Sequence, residues 1–237
     1  MIEIIAFDAD DTLWNNEHLY HRAKVEFGQL MAGYAESQFA KDRLDEMEVH
    51  NIPYYGYGIK SFALSMIEAA ADVSEGQVSG GEIREILAIV KGMLTADVEF
   101  MEGTEVTLAE LSKFYDLMLI TKGDLHEQDS KIERSGVAGY FRYLEIVGEK
   151  SDATYQRILD KYNLDPEGFL MVGNSLRSDI LPVLRIGGQA VYIPNDQTWS
   201  HEHAGEDEIG DHEFIQLEHL HQLPKYLKRL EDENKDR

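Results

Sequence analysis

Cysteine is absent from this chain of 237 residues, and its absence excludes several kinds of chemistry at once. Without thiols the protein has no disulfides, no thiolate nucleophile and no zinc site built on cysteine. Basic residues are also scarce, since 22 lysines and arginines face 45 aspartates and glutamates, for a formal net charge of -23. We therefore expect no nucleic acid and no anionic membrane among its partners, because both would repel so acidic a protein.

Long apolar runs are missing as well. No segment approaches the roughly 18 to 20 consecutive apolar residues that a membrane-spanning helix needs. The hydrophobic fraction of 43% is nevertheless enough for a sizeable core. These features predict a soluble, cytoplasmic protein, monomeric or homodimeric, with one large domain or a main domain and a smaller one.

The most informative stretch runs from Ile4 to Trp14 and reads IIAFDADDTLW. Its apolar half predicts a buried parallel strand that ends at Asp8 and brings acidic side chains to the carboxyl edge of a sheet. Three acids within four residues repel one another, at roughly 4 kcal/mol per contact of ~4 Å. We therefore expect a cation, a raised carboxyl pKa or both at this place. Simple capping of a turn by Asp8 and Asp10 is the alternative that this stretch leaves open.

Two different patterns follow along the chain. Residues 15–99 repeat apolar side chains at spacings of three and four, which predicts an all-helical insert, and Pro53 lies in an irregular loop within it. Beyond residue 99, short apolar runs alternate with helical patterns, which is typical of a doubly wound α/β fold with a parallel sheet. After the first strand, the predicted strands cover residues 116–121, 143–147, 169–172, 190–193 and 214–217.

Polar side chains suited to phosphoryl chemistry follow four of these strands. In chain order they are Asp8, Asp10, Thr121, Lys150, Asn174 and Asp179. Because the carboxyl ends of the strands in a doubly wound sheet share one edge, we expect these residues to meet in one pocket.

These residues form motifs whose order along the chain resembles that of the haloacid dehalogenase-like (HAD) hydrolase superfamily. The motifs are Asp-x-Asp-x-Thr from Asp8, then Thr121, then Lys150, then Gly-Asn-x-x-x-x-Asp from Gly173 to Asp179. Most members of this superfamily cleave phosphomonoesters with Mg²⁺. The resemblance covers nearly the whole chain and implies a magnesium-dependent phosphohydrolase acting on a small phosphorylated metabolite, such as a nucleotide or a sugar phosphate.

The resemblance also implies a domain organisation. A Rossmann-like catalytic core would consist of residues 1–14 and 100–237, and residues 15–99 would form a helical cap domain. In the residues of its first motif and the size of its cap, the chain most resembles the branch that contains nucleotide 5'-phosphatases and acylneuraminate phosphatases. In such enzymes substrate choice lies in the cap, where the candidate substrate-binding residues of this chain are Tyr54, Tyr55, Tyr57 and Lys60. Packing of these tyrosines in the cap's own core is the alternative.

Catalytic roles follow from the same resemblance. Asp8 would be the nucleophile that forms an aspartyl-phosphate, and Asp10 the general acid and base. Lys150 would balance the negative charge. Thr121, together with the backbone N–H groups of Lys122 and Gly123, would hold the phosphoryl oxygens.

The implied magnesium ligands are the Asp8 carboxylate, the backbone carbonyl of Asp10, Asp179 and Asn174. The family more often has aspartate where Asn174 stands, and a neutral amide oxygen attracts a hard cation less strongly. A plain turn residue is the other interpretation of Asn174.

Two other functions remain open at this point. A phosphotransferase or phosphosugar mutase uses the same motifs and differs mainly in its cap. A non-catalytic protein that binds a phosphorylated metabolite is the second alternative, with Asn174 as its only support in the sequence. Dehalogenases and phosphonatases are disfavoured, because their nucleophile loops typically lack an acid at the position of Asp10.

Overall fold

The structure is a computed structural model and describes residues 2–235. Six strands pair in parallel to form one sheet, in the order β3-β2-β1-β4-β5-β6. The strands are β1 (Ile4–Phe7), β2 (Asp116–Lys122), β3 (Tyr143–Val147), β4 (Phe169–Gly173), β5 (Gln189–Tyr192) and β6 (Ile215–Gln216). Each lies within one residue of its predicted limits. The strand order is that of a doubly wound Rossmann-like fold, which confirms the predicted α/β class.

Ten α-helices connect or flank these strands within residues 2–235. They are α1 (Glu17–Leu30), α2 (Ser37–Tyr55), α3 (Ile59–Val73), α4 (Gly80–Leu94), α5 (Thr104–Leu111), α6 (Leu125–Ser135), α7 (Asp152–Tyr162), α8 (Leu181–Arg185), α9 (Glu206–Ile209) and α10 (Leu223–Lys235). None of them is long and apolar enough to cross a membrane.

The chain divides into two compact units. The first contains the chain up to Asn15, Val98–Lys122 and the chain from Ser130 onward, and the second contains Asn16–Asp97 and Gly123–Asp129. The second unit is all helical, as the spacing of its apolar residues predicts, but it also takes in a short segment that follows β2. Its exact limits and its role as a cap stay predictions.

Apolar side chains cover both faces of the sheet in the first unit. Ile5 and Phe7 of β1 pack in a cluster with apolar residues of α5, α6 and α10. The alternate residues Ile4 and Ala6 point to the other face and pack with α7 and α8. Because both faces are buried, β1 is a continuous apolar run rather than an alternating one, and this made it recognisable in the sequence. Burying each such Ile or Phe stabilises the fold by roughly 1.5 to 3 kcal/mol.

The end of α2 corrects one prediction. The loop that was expected to contain Pro53 begins later, because α2 continues through this proline to Tyr55. Pro53 has no N–H to donate to the carbonyl of Val49, but because it lies in the last turn this loss affects only the end of the helix. Gly56 ends the helix with a φ of 70°, and its N–H donates to the carbonyl of Ile52 at 2.9 Å. Tyr54 and Tyr55 are therefore helical residues.

Candidate active site

The candidate site lies where β1 and β4 run side by side in the centre of the sheet. The N–H of Asp8, the first residue after β1, donates to the carbonyl of Val172 in β4 at 2.9 Å. On one side of this pair the sheet continues with β2, and on the other with β5. The strand order reverses at this point, so the connections diverge and leave a crevice at the carboxyl edge, which is where doubly wound folds bind their ligands.

Three buried charged side chains from separate strand ends meet in this crevice. The Nζ atom of Lys150 lies 2.5 Å from Oδ1 of Asp8 and 2.6 Å from Oδ1 of Asp179. Lys150 follows β3, and Asp179 lies in the turn after β4. The structure thus brings together residues that are up to 171 positions apart in the sequence, as their places at strand ends predict. Two carboxylates share one ammonium group, so a second cation would be stabilised here.

The pKa values of this cluster reflect its burial. Burial raises the pKa of Asp8 from 3.8 to about 7, and the neighbouring charge of Asp179 adds to the rise, while Lys150 opposes it. Burial on its own would lower the pKa of Lys150, yet the charges of Asp179 and Asp8 hold it well above the usual range. The lysine therefore stays protonated while the pKa of Asp8 is raised, as predicted, although burial and Asp179 contribute more to the rise than the acids of the first motif do.

This shift makes a prediction for stability. In metal-free buffer, Asp8→Asn is expected to stabilise the protein, and by a margin that grows as the pH rises. The pKa of Asp8 is 3.8 in the unfolded chain and about 7 in the folded protein, so the folded state binds this proton more tightly. The wild-type protein therefore loses stability as the pH rises from about 4 to about 7, whereas Asp8→Asn does not. Between about pH 5.5 and about pH 8.5 the margin should widen by roughly 2 kcal/mol, measured by denaturant unfolding of both proteins. A stability difference between the two proteins that does not change with pH would contradict this prediction.

Asn174 presents its amide oxygen to this cluster. The hydroxyl of Thr12 lies 3.2 Å from Oδ2 of Asp8 and 3.2 Å from Oδ1 of Asn174. On the other side, Nδ2 of Asn174 donates to the hydroxyl of Thr198 at 3.0 Å, which fixes the amide in this orientation. The amide oxygen of Asn174 thus faces the hydroxyl that also contacts Asp8, and its role as a metal ligand stays a prediction.

Asp179 is held in place by a tight backbone turn. Its Oδ2 atom accepts the N–H of Ser175 at 3.0 Å, and the carbonyl of Ser175 accepts the N–H groups of both Asp179 and Ile180. Such a five-residue π-turn is uncommon and is often found at functional sites. Gly173 precedes it because a Cβ atom there would lie 2.2 Å from Oδ2 of Asp179, so that any other side chain would displace the carboxylate.

Thr121, the last but one residue of β2, has a buried hydroxyl. Within residues 2–235 its Oγ1 atom has no hydrogen-bond partner. An unsatisfied buried hydroxyl is costly, so one at a strand end beside a candidate site suits a ligand oxygen. Gly123 follows with a φ of 143°, and a Cβ atom there would lie 2.9 Å from Nε2 of Gln128. The role of Thr121, Lys122 and Gly123 in binding phosphate stays a prediction.

Lys122 has a strong partner that the sequence did not reveal. Its Nζ atom lies 2.5 Å from Oε1 of the mostly buried Glu202. Burial on its own would raise the pKa of Glu202. The charge of Lys122 and hydrogen bonds from the hydroxyls of Ser175 and Ser178 outweigh this effect and lower the pKa of Glu202 to about 2. The charge of Lys122 is thus balanced by Glu202, and its predicted contact with substrate stays a prediction.

Asp10 also has a partner that sequence reasoning missed. The Nζ atom of Lys131, in α6, lies 2.8 Å from each carboxyl oxygen of Asp10, and Nε1 of Trp14 donates to Oδ1 at 2.7 Å. Lys131 follows Asp10 by 121 residues and lies within an ordinary amphipathic helix, so nothing in the local sequence marks it.

The candidate cap residues belong to the second unit. Tyr54 is 72% exposed, and Tyr55 is also exposed, with its hydroxyl donating to Oε1 of Glu68 at 2.8 Å. Neither tyrosine packs in the core of this unit, which was the alternative. Lys60 pairs with Oδ1 of Asp124 at 2.7 Å, and Tyr57 is partly buried. Their roles in substrate binding stay predictions.

The donor set of the crevice fits Mg²⁺. Asp8 and Asp179 supply carboxylate oxygens, and Asn174 supplies an amide oxygen, all of which are hard ligands of the kind this ion prefers. Among the residues that the structure describes, no three His, Asp or Glu side chains form a metal cluster. A magnesium site here therefore depends on two carboxylates completed by neutral oxygens, and this ion usually keeps several waters.

Comparisons with known proteins agree on one family. A family model described as haloacid dehalogenase-like hydrolase matches residues 2–187, which include all the strand-end residues above. The 5-amino-6-(5-phospho-D-ribitylamino)uracil phosphatase YigB of Escherichia coli is 26% identical over 216 residues, covering 84% of this chain and 88% of its own. The N-acylneuraminate-9-phosphatase of Rattus norvegicus is 24% identical over 200 residues, covering 80% and 81%. A solved haloacid dehalogenase-like family hydrolase from Xanthomonas campestris is 34% identical, with a TM-score of 0.86 over 100% of this chain and 95% of that one.

Proposed function

The chain belongs to the haloacid dehalogenase-like hydrolases and is an enzyme that hydrolyses phosphomonoesters, and from this premise we propose that it works with Mg²⁺ through an aspartyl-phosphate on Asp8. The observation that carries the proposal is the single ammonium of Lys150 between Asp8 and Asp179 at the switch point of the sheet. The curated relatives are phosphatases of small phosphorylated compounds, which supports a small phosphorylated metabolite as the substrate. Within that class we propose a nucleotide or a sugar phosphate.

In the first step an Asp8 carboxylate oxygen attacks phosphorus, and the bond from phosphorus to the ester oxygen breaks. The electron pair of that bond stays on the leaving oxygen, which receives a proton from the carboxyl group of Asp10. Lys150 keeps its proton and faces Asp8, so it stabilises the carboxylate in the attacking orientation and reduces repulsion of the incoming phosphate.

In the second step water attacks the phosphorus of the aspartyl-phosphate. Asp10 takes a proton from this water, inorganic phosphate leaves, and the Asp8 carboxylate is restored. In both steps the Thr121 hydroxyl donates to a phosphoryl oxygen, a role supported by its burial without a partner among the described residues. Loss of a preorganised donor of this kind typically costs ~2.7 to 4 kcal/mol of barrier.

Mg²⁺ would be held by Asp8, the Asp10 carbonyl, Asp179 and Asn174, and when bound it supplies positive charge that offsets the surplus of carboxylate and phosphate. Without it, Lys150 would face about four negative charges, those of Asp8, Asp179 and a phosphate dianion.

The test is hydrolysis of p-nitrophenyl phosphate and a panel of phosphorylated metabolites, with Mg²⁺ and with EDTA. We expect phosphate release that needs the metal. Rapid quenching with a ³²P-labelled substrate should trap labelled protein, and hydroxylamine should release the label, as expected of an acyl phosphate. Peptide mapping should then place the label on Asp8.

Each failure of this test points to a different part of the proposal. Equal rates with Mg²⁺ and EDTA would contradict the metal requirement, and a label on a residue other than Asp8 would contradict the intermediate. Transfer of phosphate to an added sugar in preference to water would favour the phosphotransferase alternative. Absence of turnover across the panel would overturn the proposed activity as a whole.

A further inference from the structure

The environment of Asp10 contains more than the family motif requires. Three hydrogen bonds converge on its carboxyl group, two from Nζ of Lys131 at 2.8 Å and one from Nε1 of Trp14 at 2.7 Å. The Lys131 side chain is only 9% exposed, whereas that of Asp10 is 20% exposed. A buried lysine therefore holds an acid that still reaches solvent.

Stability alone is a weak explanation of this pair. Taking an ammonium group and a carboxylate out of water costs about as much as their attraction returns, so a buried ion pair often adds little to the free energy of unfolding. Its geometry, however, is restrictive. One ammonium in contact with both oxygens fixes the direction of the carboxyl group, and the indole N–H of Trp14 fixes the rotation about its axis. These contacts limit orientation, which is what a proton donor needs.

We propose that Lys131 is a positioning residue for proton transfer by Asp10. Its ammonium group holds the carboxyl group of Asp10 in the orientation from which the leaving oxygen is protonated. It also stabilises the carboxylate that Asp10 becomes once that proton has left. The inference rests on the proposed function, in which Asp10 is the general acid and base.

The leaving group decides how much this positioning matters. p-Nitrophenolate is a weak base and departs without a proton, whereas phenolate departs far more slowly unless its oxygen is protonated. Lys131→Met keeps the length and the apolar stem of the side chain but removes the charge. We expect it to lower kcat for phenyl phosphate ~10- to 100-fold, with KM within ~3-fold, and kcat for p-nitrophenyl phosphate by less than ~5-fold.

A double-mutant cycle separates positioning from a merely structural role. If Lys131 acts through Asp10, then adding Lys131→Met to an Asp10→Asn enzyme should change phenyl phosphate turnover by less than ~2-fold. A structural role would lower activity by the same factor in both backgrounds. Lys131→Arg, which keeps two donors and the charge, should recover much of the loss. Lys113→Met, at an exposed lysine, is the matched control and should behave as wild type.

The outcomes distinguish this inference from the proposed function. Wild-type enzyme that hydrolyses neither aryl phosphate removes the proposed function itself. Wild-type enzyme that hydrolyses both, while Lys131→Met lowers both rates equally or neither, overturns only the inference. If Lys131→Met fails to fold, Lys131→Gln replaces it in the same cycle, and equal losses with and without Asp10 would again contradict positioning.

Discussion

Asp8→Asn is expected to lower kcat for any phosphomonoester by at least ~10⁴-fold, because an amide oxygen is a poor nucleophile towards phosphorus and no aspartyl-phosphate can form. The contact with Lys150 survives in this variant, since an amide oxygen still accepts a hydrogen bond from Nζ. We expect this variant to stay folded in metal-free buffer near pH 8, because it removes a buried acid whose pKa is raised, and thermal unfolding under the assay conditions checks that it is folded there too. The measurement is steady-state hydrolysis of p-nitrophenyl phosphate at saturating Mg²⁺.

Asp97→Asn provides the matched control, because Asp97 is exposed in the second unit and has no part in the proposed mechanism. It should retain wild-type kcat and KM. Because the asparagine of Asp8→Asn can deamidate back to aspartate, Asp8→Ala is measured beside Asp8→Asn and should be equally inactive. Turnover above ~1% of wild type in freshly prepared Asp8→Ala protein would show that another group attacks the substrate.

The fold was largely predictable because its strands are short apolar runs bounded by polar and turn-forming residues. β3, for example, has the predicted limits. The end of α2 was not predictable from local signals. A proline usually marks a helix boundary, yet Pro53 lies in the last turn, where the hydrogen bond that it cannot make disturbs only the end of the helix.

The site was predictable only as far as topology determines it. Asp8, Lys150 and Asp179 each follow a strand, and parallel strands bring such positions to one edge, so their meeting could be inferred without coordinates. Lys131 and Glu202 could not be found in this way. One lies within a helix and the other in a polar loop, and their partners are 121 and 80 residues away. Supporting contacts of this kind depend on side-chain packing, for which the chain has no periodic signal.

Charge balance in the crevice leads to the second large effect, that of Lys150→Met. Removing the ammonium leaves the buried carboxylates of Asp8 and Asp179 facing each other without the cation they share. Breaking a buried pair in this way typically costs ~3 to 5 kcal/mol, and for a chain of this size each kcal/mol lowers the melting temperature by ~2 to 4 °C. We expect a fall of roughly 6 to 20 °C in metal-free buffer near pH 8, measured by differential scanning calorimetry.

A second variant separates this effect from loss of packing. In Lys150→Met/Asp179→Asn only Asp8 of the three can be charged, so we expect most of the lost stability to return, while turnover stays low because the lysine and the Asp179 carboxylate are both missing. Lys113→Met, at an exposed lysine, should shift the melting temperature by less than ~2 °C. If the double variant were no more stable than Lys150→Met, the loss would come from altered packing rather than from unpaired charge. The cluster would then not be the electrostatic centre that the proposed mechanism requires.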